Sequence, residues 1–532
     1  MTPSRAESAH RPTRAAAALV GSSQPVNTDK PALTKIIATV GPASSSPEAV
    51  RKLIETGVAI FRLNFGHGSL EEHTRQTQNI REVAASLGLP TAVMGDIQGP
   101  KIRVGRVAGD GVEVEPGDVV IFQRNEIVGQ AGAKPLRLSS TFSRLIDDVE
   151  PGERLLVADG AVRMLVIGKR KDEIECTVSA GGGGRISTGK GINLPDTKVK
   201  AEVLSDRDWE CVEWSLANGL DFLALSFVRD AADVEALRSG VMKFSAMREK
   251  DNSATTPATS PIRIIAKIER PEGVQNAEEI LDVADGIMIA RGDLGVEMDL
   301  ARVPVIQKQL LAAAKAAGKP CIVATQMLES MIHAPAPTRA EASDVAGAIL
   351  DGTDAVMLSG ETAIGEYPVL AVEYMRRIAL STEDYVRSLP PQSSAPRKLI
   401  ESRYRTAALA HGAWQIAQDI KAQFIVVWSQ QGGGARYLSQ NEFNIPIIAC
   451  TSDDRAARQM QVLRGVTPVR MPVPNGLAHF TQVVDNYLLE TGWARPGDAC
   501  ILIAGAPIGT QGVTNSLAIH NIGDQSTGFS PS

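Results

Sequence analysis

The sequence predicts an α/β protein built as a (β/α)8 TIM barrel, with a small β-barrel lid domain inserted into it and an α/β open-sheet domain at its C-terminal end. Three observations lead there. Eight short β-rich apolar runs alternate with helical patterns, most of them spaced by about 22 to 42 residues, the length of one strand plus one helix. One gap of about 125 residues breaks that rhythm and contains only short alternating segments with turn signals. Past the Pro- and Ser-rich stretch at 389–394, the strand and helix patterns resume.

In chain order, residues 1–30 are rich in Ala, Ser and Arg, and read as a disordered tail, with an organelle transit peptide as the alternative. The first barrel segment is 31–103, with strands expected at 36–40, 60–65 and 92–97. These runs are near-continuously apolar, as suits strands of a parallel sheet covered on both faces. The lid is expected over 104–198, with strands at 112–114, 119–122, 155–157 and 162–167 separated by turns such as Glu115-Pro116-Gly117-Asp118. Inserted in a loop that follows a strand, it covers the C-terminal face of the barrel. The second barrel segment is 199–388, with strands at 222–227, 264–268, 286–290, 321–325 and 355–359. The last domain, 389–532, begins with a helix near 406–418, followed by strands at 424–428, 445–450, 466–471 and 500–504.

Composition excludes several classes of function. The chain has 532 residues, 61 acidic and 55 basic, so its formal charge of −6 supplies no basic face for nucleic acid. Aromatic residues are only 4 %, too few for base-stacking platforms. Hydrophobic residues at 43 % exclude a largely disordered chain, and no apolar run approaches the ~18 residues that span a bilayer. The five cysteines are scattered and never form a CxxC pair, which predicts buried thiols in a reducing, cytoplasmic setting.

A barrel of this kind gathers its catalytic groups at the C-terminal ends of its strands. Six of the eight runs end in candidates: Arg62 and Asn64; Asp96; Lys267 and Glu269; Arg291, Gly292 and Asp293; Thr325 and Gln326; Ser359, Gly360 and Glu361. Glu269 and Asp293 are hard oxygen ligands suited to octahedral Mg²⁺. Lys267 is two residues before Glu269, so both point to one face of a strand. Arg62 and Arg103 can fork onto phosphate oxygens, and the turn at Arg291-Gly292-Asp293 offers free N–H groups. The stretch from Gly184 to Lys190 satisfies GxxxxGK, but Gly191 stands where a phosphate loop needs Ser or Thr, so it reads as a glycine-rich turn with an exposed lysine. His67 has no HxH or HExxH companion and is not read as a metal ligand. Gly432-Gly433-Gly434-Ala435-Arg436, after a strand, is either a phosphate cradle or simply a helix start.

Several stretches together resemble the pyruvate kinase family, from about Thr34 to the C-terminus. They are Thr34-Lys35-Ile36-Ile37-Ala38-Thr39-Val40-Gly41-Pro42-Ala43, Arg62-Leu63-Asn64-Phe65, Gly99-Pro100-Lys101-Ile102-Arg103, Lys267-Ile268-Glu269, Ala290-Arg291-Gly292-Asp293-Leu294-Gly295, Ala324-Thr325-Gln326-Met327-Leu328-Glu329-Ser330-Met331, Pro337-Thr338-Arg339-Ala340-Glu341 and Leu358-Ser359-Gly360-Glu361-Thr362-Ala363. The resemblance implies phosphoryl transfer from phosphoenolpyruvate to ADP, giving pyruvate and ATP, the last step of glycolysis. It implies that Glu269 and Asp293 hold Mg²⁺ (or Mn²⁺), that Lys267 stabilises the moving phosphoryl group and Arg62 grips it, and that Gly292 and Asp293 bind the substrate carboxylate. Thr325 would position substrate and proton donor. Asn64, Gly66, His67, Arg103 and Lys190 match nucleotide-side positions. The family's K⁺-requiring members resemble Ser at 66 and Glu at 101, whereas this chain has Gly66 and Lys101. With Asn64, Asp96 and the carbonyl of Ile97 as remaining ligands, K⁺ is expected to be dispensable, the Lys101 ammonium standing in for it. Ser429, Gly432, Gly433, Gly434 and Arg436 correspond to a region that binds a phosphorylated effector, and the family is usually homotetrameric. Two rival readings remain: another Mg²⁺-dependent enzyme of phosphoenolpyruvate or 2-oxo acids on the same barrel, such as a lyase or mutase, and a non-catalytic sensor that binds sugar phosphate through its C-terminal domain.

Overall fold

The computed structural model describes residues 31–99, 101–142, 144–199, 203–250, 260–390, 398, 401, 404–510 and 512–529. The expected tail over 1–30, residues 391–394 of the expected hinge, and Pro100 of one family-like stretch lie outside the described residues.

The chain opens with β1 (Lys35–Thr39), β2 (Val58–Asn64) and β3 (Ala92–Ile97). Then come β4 (Val112–Val114), β5 (Val119–Gln123), β6 (Leu136–Ser139), β7 (Arg154–Val157), β8 (Val162–Lys169), β9 (Glu173–Val178), β10 (Gly184–Ile186) and β11 (Ile192–Asn193). The barrel resumes with β12 (Phe222–Leu225), β13 (Arg263–Ile268), β14 (Gly286–Ala290), β15 (Cys321–Ala324) and β16 (Ala355–Leu358). The first three strands and these five form a closed, all-parallel barrel, with β1 hydrogen-bonded to β16 and β3 to β12 across the insertion.

Alternation along the strands sorts the residues. Ile36, Ala38, Phe61, Leu63, Val93, Ile264, Ala266 and Ile268 face outward and pack under the helices. Ile37, Ile60, Met94, Phe222, Ile265, Met288, Ile322 and Met357 fill the interior. The same period carries each interior row upward into polar residues: Met94 is followed by Asp96, Ile60 by Arg62, Ile265 by Lys267 and Glu269. The barrel is therefore apolar through its middle and charged at its mouth.

Several helices begin where the sequence caps them. Ser69 and Glu72 form a capping box at Leu70–Leu87, which ends on Gly88 in the left-handed region at φ 67°. Thr338 and Glu341, part of one family-like stretch, do the same for Arg339–Leu350. Glu341 also accepts from the Ser330 N–H at 2.7 Å, so this motif is architectural.

The insertion is β throughout, apart from the short helix Leu145–Asp148. Its hydrogen bonding is divided between a six-stranded sheet, β11-β7-β8-β9-β5-β6, and a two-stranded pair, β10-β4, that share one core. It hangs on a paired stalk, in which the Ile192 N–H donates to the Ile102 carbonyl and the Val104 N–H to the Lys190 carbonyl, each at 2.8 Å.

The C-terminal sheet has the order β19-β18-β17-β20-β21, with β17 (Phe424–Trp428), β18 (Ile447–Thr451), β19 (Val466–Arg470), β20 (Ala499–Ala504) and an antiparallel edge strand, β21 (Ser516–Asn521). The domain docks on the barrel floor, opposite the lid, through buried charge. Asp221 receives Arg81 and Arg458, each at 2.8 Å. The Lys35 ammonium donates to the Val466 carbonyl at 2.6 Å, and Arg263 to the Gln431 carbonyl at 2.7 Å. Asp354 accepts from the Cys321 N–H and from Gln440 Nε2, both at 2.9 Å.

Several strand limits differ from those expected. β12 ends at Leu225 and β15 at Ala324, because Phe227 and Thr325 take φ of 56° and 68° and turn the chain out of the sheet. β18 starts at Ile447 rather than Ile445, just after Pro446, which has no N–H for a ladder.

Asp354 generates a prediction. Burial pushes its carboxyl up to about 6, against the N–H groups that favour its charge. Its contribution to stability is complete below its ordinary unfolded-state value and is lost as pH rises through about 6. Urea midpoints should therefore drop between pH 4 and pH 7 by an Asp354 component of about 2–3 kcal/mol, and that component should vanish in Asp354→Asn.

Candidate active site

At the mouth of the barrel four charged side chains interlock. The Lys267 ammonium lies 2.9 Å from Glu269 Oε1, 3.2 Å from Asp96 Oδ1 and 2.8 Å from Ser226 Oγ. Arg62 Nε donates to Asp96 Oδ2 at 2.6 Å and its Nη1 to Thr39 Oγ1 at 3.1 Å. The second oxygen of Glu269 accepts the Phe227 N–H at 2.7 Å. Lys267 is 8 % exposed, Asp96 2 % and Glu269 1 %.

Burial alone would lower the Lys267 ammonium, but Asp96 and Glu269 override it and hold it at about 12. Burial alone would raise Asp96, but Arg62 and Lys267 pull it below the usual carboxylate range. Glu269 is raised, first by burial and then by the negative charge of Asp293, against the opposing pull of Lys267. Two carboxylates whose charges disfavour each other, one buried and one open to the cleft, fit a cation between them. Among the described residues no group of three or more His, Cys, Asp and Glu converges as a closed metal site. Two hard oxygen ligands, with the other octahedral positions left to substrate oxygen and water, would suit Mg²⁺.

Asp293 sits in the short helix Arg291–Glu297, which begins directly after β14. The Gly292 N–H on that turn donates to Thr325 Oγ1 at 2.7 Å, so this amide and the threonine lie together. The Lys101 ammonium stands 3.9 Å from Asp293 Oδ1. Gly66 is beside Asn64, its N–H donating to Asn64 Oδ1 at 3.1 Å, and a Cβ added at Gly66 would lie 3.2 Å from that oxygen. Ile97 is buried at the end of β3.

Next to the charged mouth is a cavity of 570 Å³ lined by Asn64 and His67 and also by Thr39, Pro42, Arg75 and Asn79. The last four were not singled out from the sequence, although Thr39 and Pro42 lie in its first family-like stretch. Arg103 and Lys190 do not line this cavity. Arg103 Nη1 is bonded to the Gly189 carbonyl at 2.9 Å on the lid stalk, and Lys190 is exposed beside it. Glu361, expected at the mouth, instead accepts the Leu328 N–H at 3.0 Å and the Ser359 N–H at 2.7 Å and braces two loops. Ser226 was also missed; only its place at the end of an apolar run marks it. In the C-terminal domain, Gly432 at φ 80° opens the helix Gly433–Ser439, Ser429 Oγ accepts the Ala435 N–H at 3.2 Å, and Arg436 stacks on Tyr437.

The family model described as pyruvate kinase, barrel domain, matches residues 32–372, and that described as pyruvate kinase, alpha/beta domain, matches 407–520. The chain belongs to the pyruvate kinase family. It is 39 % identical to a pyruvate kinase of Mycobacterium intracellulare over 490 residues, covering 92 % of this chain and 98 % of that one. It is 40 % identical to a pyruvate kinase of Staphylococcus aureus over 503 residues, covering 92 % and 81 %. A solved pyruvate kinase from Cryptosporidium parvum superposes with a TM-score of 0.80 at 35 % identity, covering 92 % of this chain and 96 % of that one. The protein is a glycolytic phosphotransferase that converts phosphoenolpyruvate and ADP to pyruvate and ATP, and the family generally uses Mg²⁺. Among the described residues no helix is long and apolar enough to cross a membrane.

The interlocked charges make a stability prediction. Asp96→Asn strips the shared counter-charge from two buried cations and should lower unfolding stability by about 3–5 kcal/mol, read as a shifted denaturant midpoint.

Proposed function

We propose that Lys267, Glu269 and Asp293 carry the phosphoryl transfer, and that it runs without K⁺. The 2.9 Å pairing of Lys267 with Glu269 at the barrel mouth carries the first part. Lys267 neutralises charge on the moving phosphoryl group, and Arg62 fixes its oxygens. A transition state of this kind needs positioning and charge and little covalent chemistry from the protein. Glu269 and Asp293 are the residues that would hold Mg²⁺ (or Mn²⁺); when bound, it polarises the substrate oxygens and offsets their charge. The amides of Gly292 and Asp293 receive the substrate carboxylate. Thr325 orients the water that protonates the enolate carbon. On the nucleotide side, Asn64, Gly66 and His67 face ADP, with Arg103 and Lys190 delivered by the lid.

The second part is supported by Gly66, which lacks the hydroxyl of K⁺-requiring relatives, and by Lys101, whose ammonium is aimed at Asp293. Asn64, Asp96 and Ile97 complete the place that this cation would otherwise take. We assign the domains to 31–103 with 199–388, 104–198 and 389–532. We read the protein as a cytoplasmic homotetramer, with Leu300 on the barrel and Ile519 on the edge strand β21 as exposed apolar contacts. Ser429, Gly432, Gly433, Gly434 and Arg436 are the candidate effector residues.

A coupled pyruvate-release assay with Mg²⁺ tests the proposal. Turnover in K⁺-free buffer should match that in K⁺ within about twofold, and a large drop without K⁺ would overturn the second part. Lys101→Glu should create a K⁺ requirement. Lys267→Met should cut kcat by at least about 10²–10³-fold while phosphoenolpyruvate still binds, as seen by calorimetry.

A further inference from the structure

Two consecutive non-glycine residues at the mouth, Thr325 and Gln326, occupy the left-handed region, at φ of 68° and 54°. Thr325 is β-branched, the kind of side chain that tolerates this region least. Strain of this sort persists only where the surroundings hold it in place. One side chain grips the main chain of both residues. Arg291 Nη2 donates to the Thr325 carbonyl at 3.0 Å and to the Gln326 carbonyl at 3.2 Å, and contacts Met327 Sδ at 2.9 Å. Its other arm, Nη1, lies 2.6 Å from Asp344 Oδ2 and 2.8 Å from Oδ1, with Gln307 Oε1 at 3.4 Å. The guanidinium is 10 % exposed, and its polar contacts go to this turn, to Gln307 and to Asp344. The residue after it, Gly292, takes the Thr325 hydroxyl with its own N–H at 2.7 Å, and that hydroxyl donates to the Ala324 carbonyl at 2.6 Å.

We propose that Arg291 is a positioning residue for the proton-delivery half of the reaction. It grips the main chain of Thr325 and Gln326 and so fixes where the Thr325 hydroxyl points. This rests on the reading of Thr325 given above. After phosphoryl transfer the enolate C3 gains a proton: a C–H bond forms, an O–H bond of the donor water breaks with its electron pair staying on oxygen, and solvent returns the proton to that water. A hydroxyl swung out of place misplaces this water and leaves the transferring phosphoryl group, held by Lys267 and Arg62, where it was. A planar fork reaches two carbonyls and a carboxylate at once; a lysine ammonium, a single point charge, does not.

The test separates the two halves in the full-length enzyme with Mg²⁺. Exchange of the pyruvate C3 protons with D₂O, followed by NMR in the presence of ATP, reads proton transfer. Quenched-flow formation of ATP from phosphoenolpyruvate and ADP reads phosphoryl transfer. Arg291→Lys should slow C3 exchange by about 10–100-fold, change the ATP-forming step and KM for phosphoenolpyruvate by less than about threefold, and raise the solvent isotope effect on kcat. Asp344→Asn, which frees the anchored arm, should give a weaker version of the same split. Added guanidinium ion should restore exchange in Arg291→Ala. Equal loss in both halves, with a lowered unfolding midpoint, would make Arg291 purely structural and overturn the proposal, as would unchanged exchange in Arg291→Lys. Thr325→Val is the control. If its exchange is normal, the reading of Thr325 fails; if its exchange is slow while that of Arg291→Lys is normal, only the role of Arg291 fails.

Discussion

Four charges share one desolvated space at the top of the barrel, and much of the molecule follows from keeping them in balance. Lys267 and Arg62 lie against Asp96 and Glu269 where water cannot screen them. Each ion alone would cost several kcal/mol to bury. Together they are held by strand ends, by the Ser226 hydroxyl and by the Phe227 amide, so little rearrangement is left for the moment of reaction. Asp96 serves both cations without extending into the cleft. It is the shared counter-charge of Arg62 and Lys267.

Much of this was readable from the chain. β3, β4, β14 and β17 have the limits their runs predicted; β3, β14 and β17 are buried along their whole length, which leaves a near-continuous apolar signature, whereas β4 shows strict alternation, with Glu113 exposed between Val112 and Val114. The lid strands β6 and β9 carry exposed or half-exposed Arg, Glu and Thr between their buried residues, and β21 is a half-exposed edge, so none of them stood out. Lys267, Glu269 and Arg62 were legible from residue type and from the two-residue period. The role of Asp96 as shared counter-ion was not, because it depends on registers, Asn64 opposite Asp96 and Asp96 opposite Ala224, that exist only once the barrel closes. The left-handed turn at Thr325 left no signal, since nothing in a threonine announces a positive φ.

The floor of the barrel is tied down as firmly as its mouth. The interior row that ends in Lys267 and Glu269 begins beside Arg263, whose guanidinium reaches the Gln431 carbonyl in the glycine-rich turn of the C-terminal sheet. The strand that leads into Ser226 and Phe227 begins beside Asp221, which is clamped by Arg458 of the C-terminal domain. Interior residues of the barrel and inner residues of that sheet form one continuous apolar cluster. The two domains therefore share a core, and a shift of the C-terminal sheet bears on the starting points of the strands that end in the charged mouth.

The stalk of the insertion has a different consequence. The chain leaves the barrel through Ile102 and Val104 and returns through Lys190 and Ile192, side by side and hydrogen-bonded to each other. To the barrel, the whole excursion is equivalent to a tight turn between neighbouring points, and its length adds little to the entropy of closing the ring. The lid is in this sense a detachable module. Its own core can drift, grow or be exchanged across generations without disturbing the eight-strand ring beneath it, and the two short stalk segments are the narrow isthmus through which any such change must stay compatible with the rest.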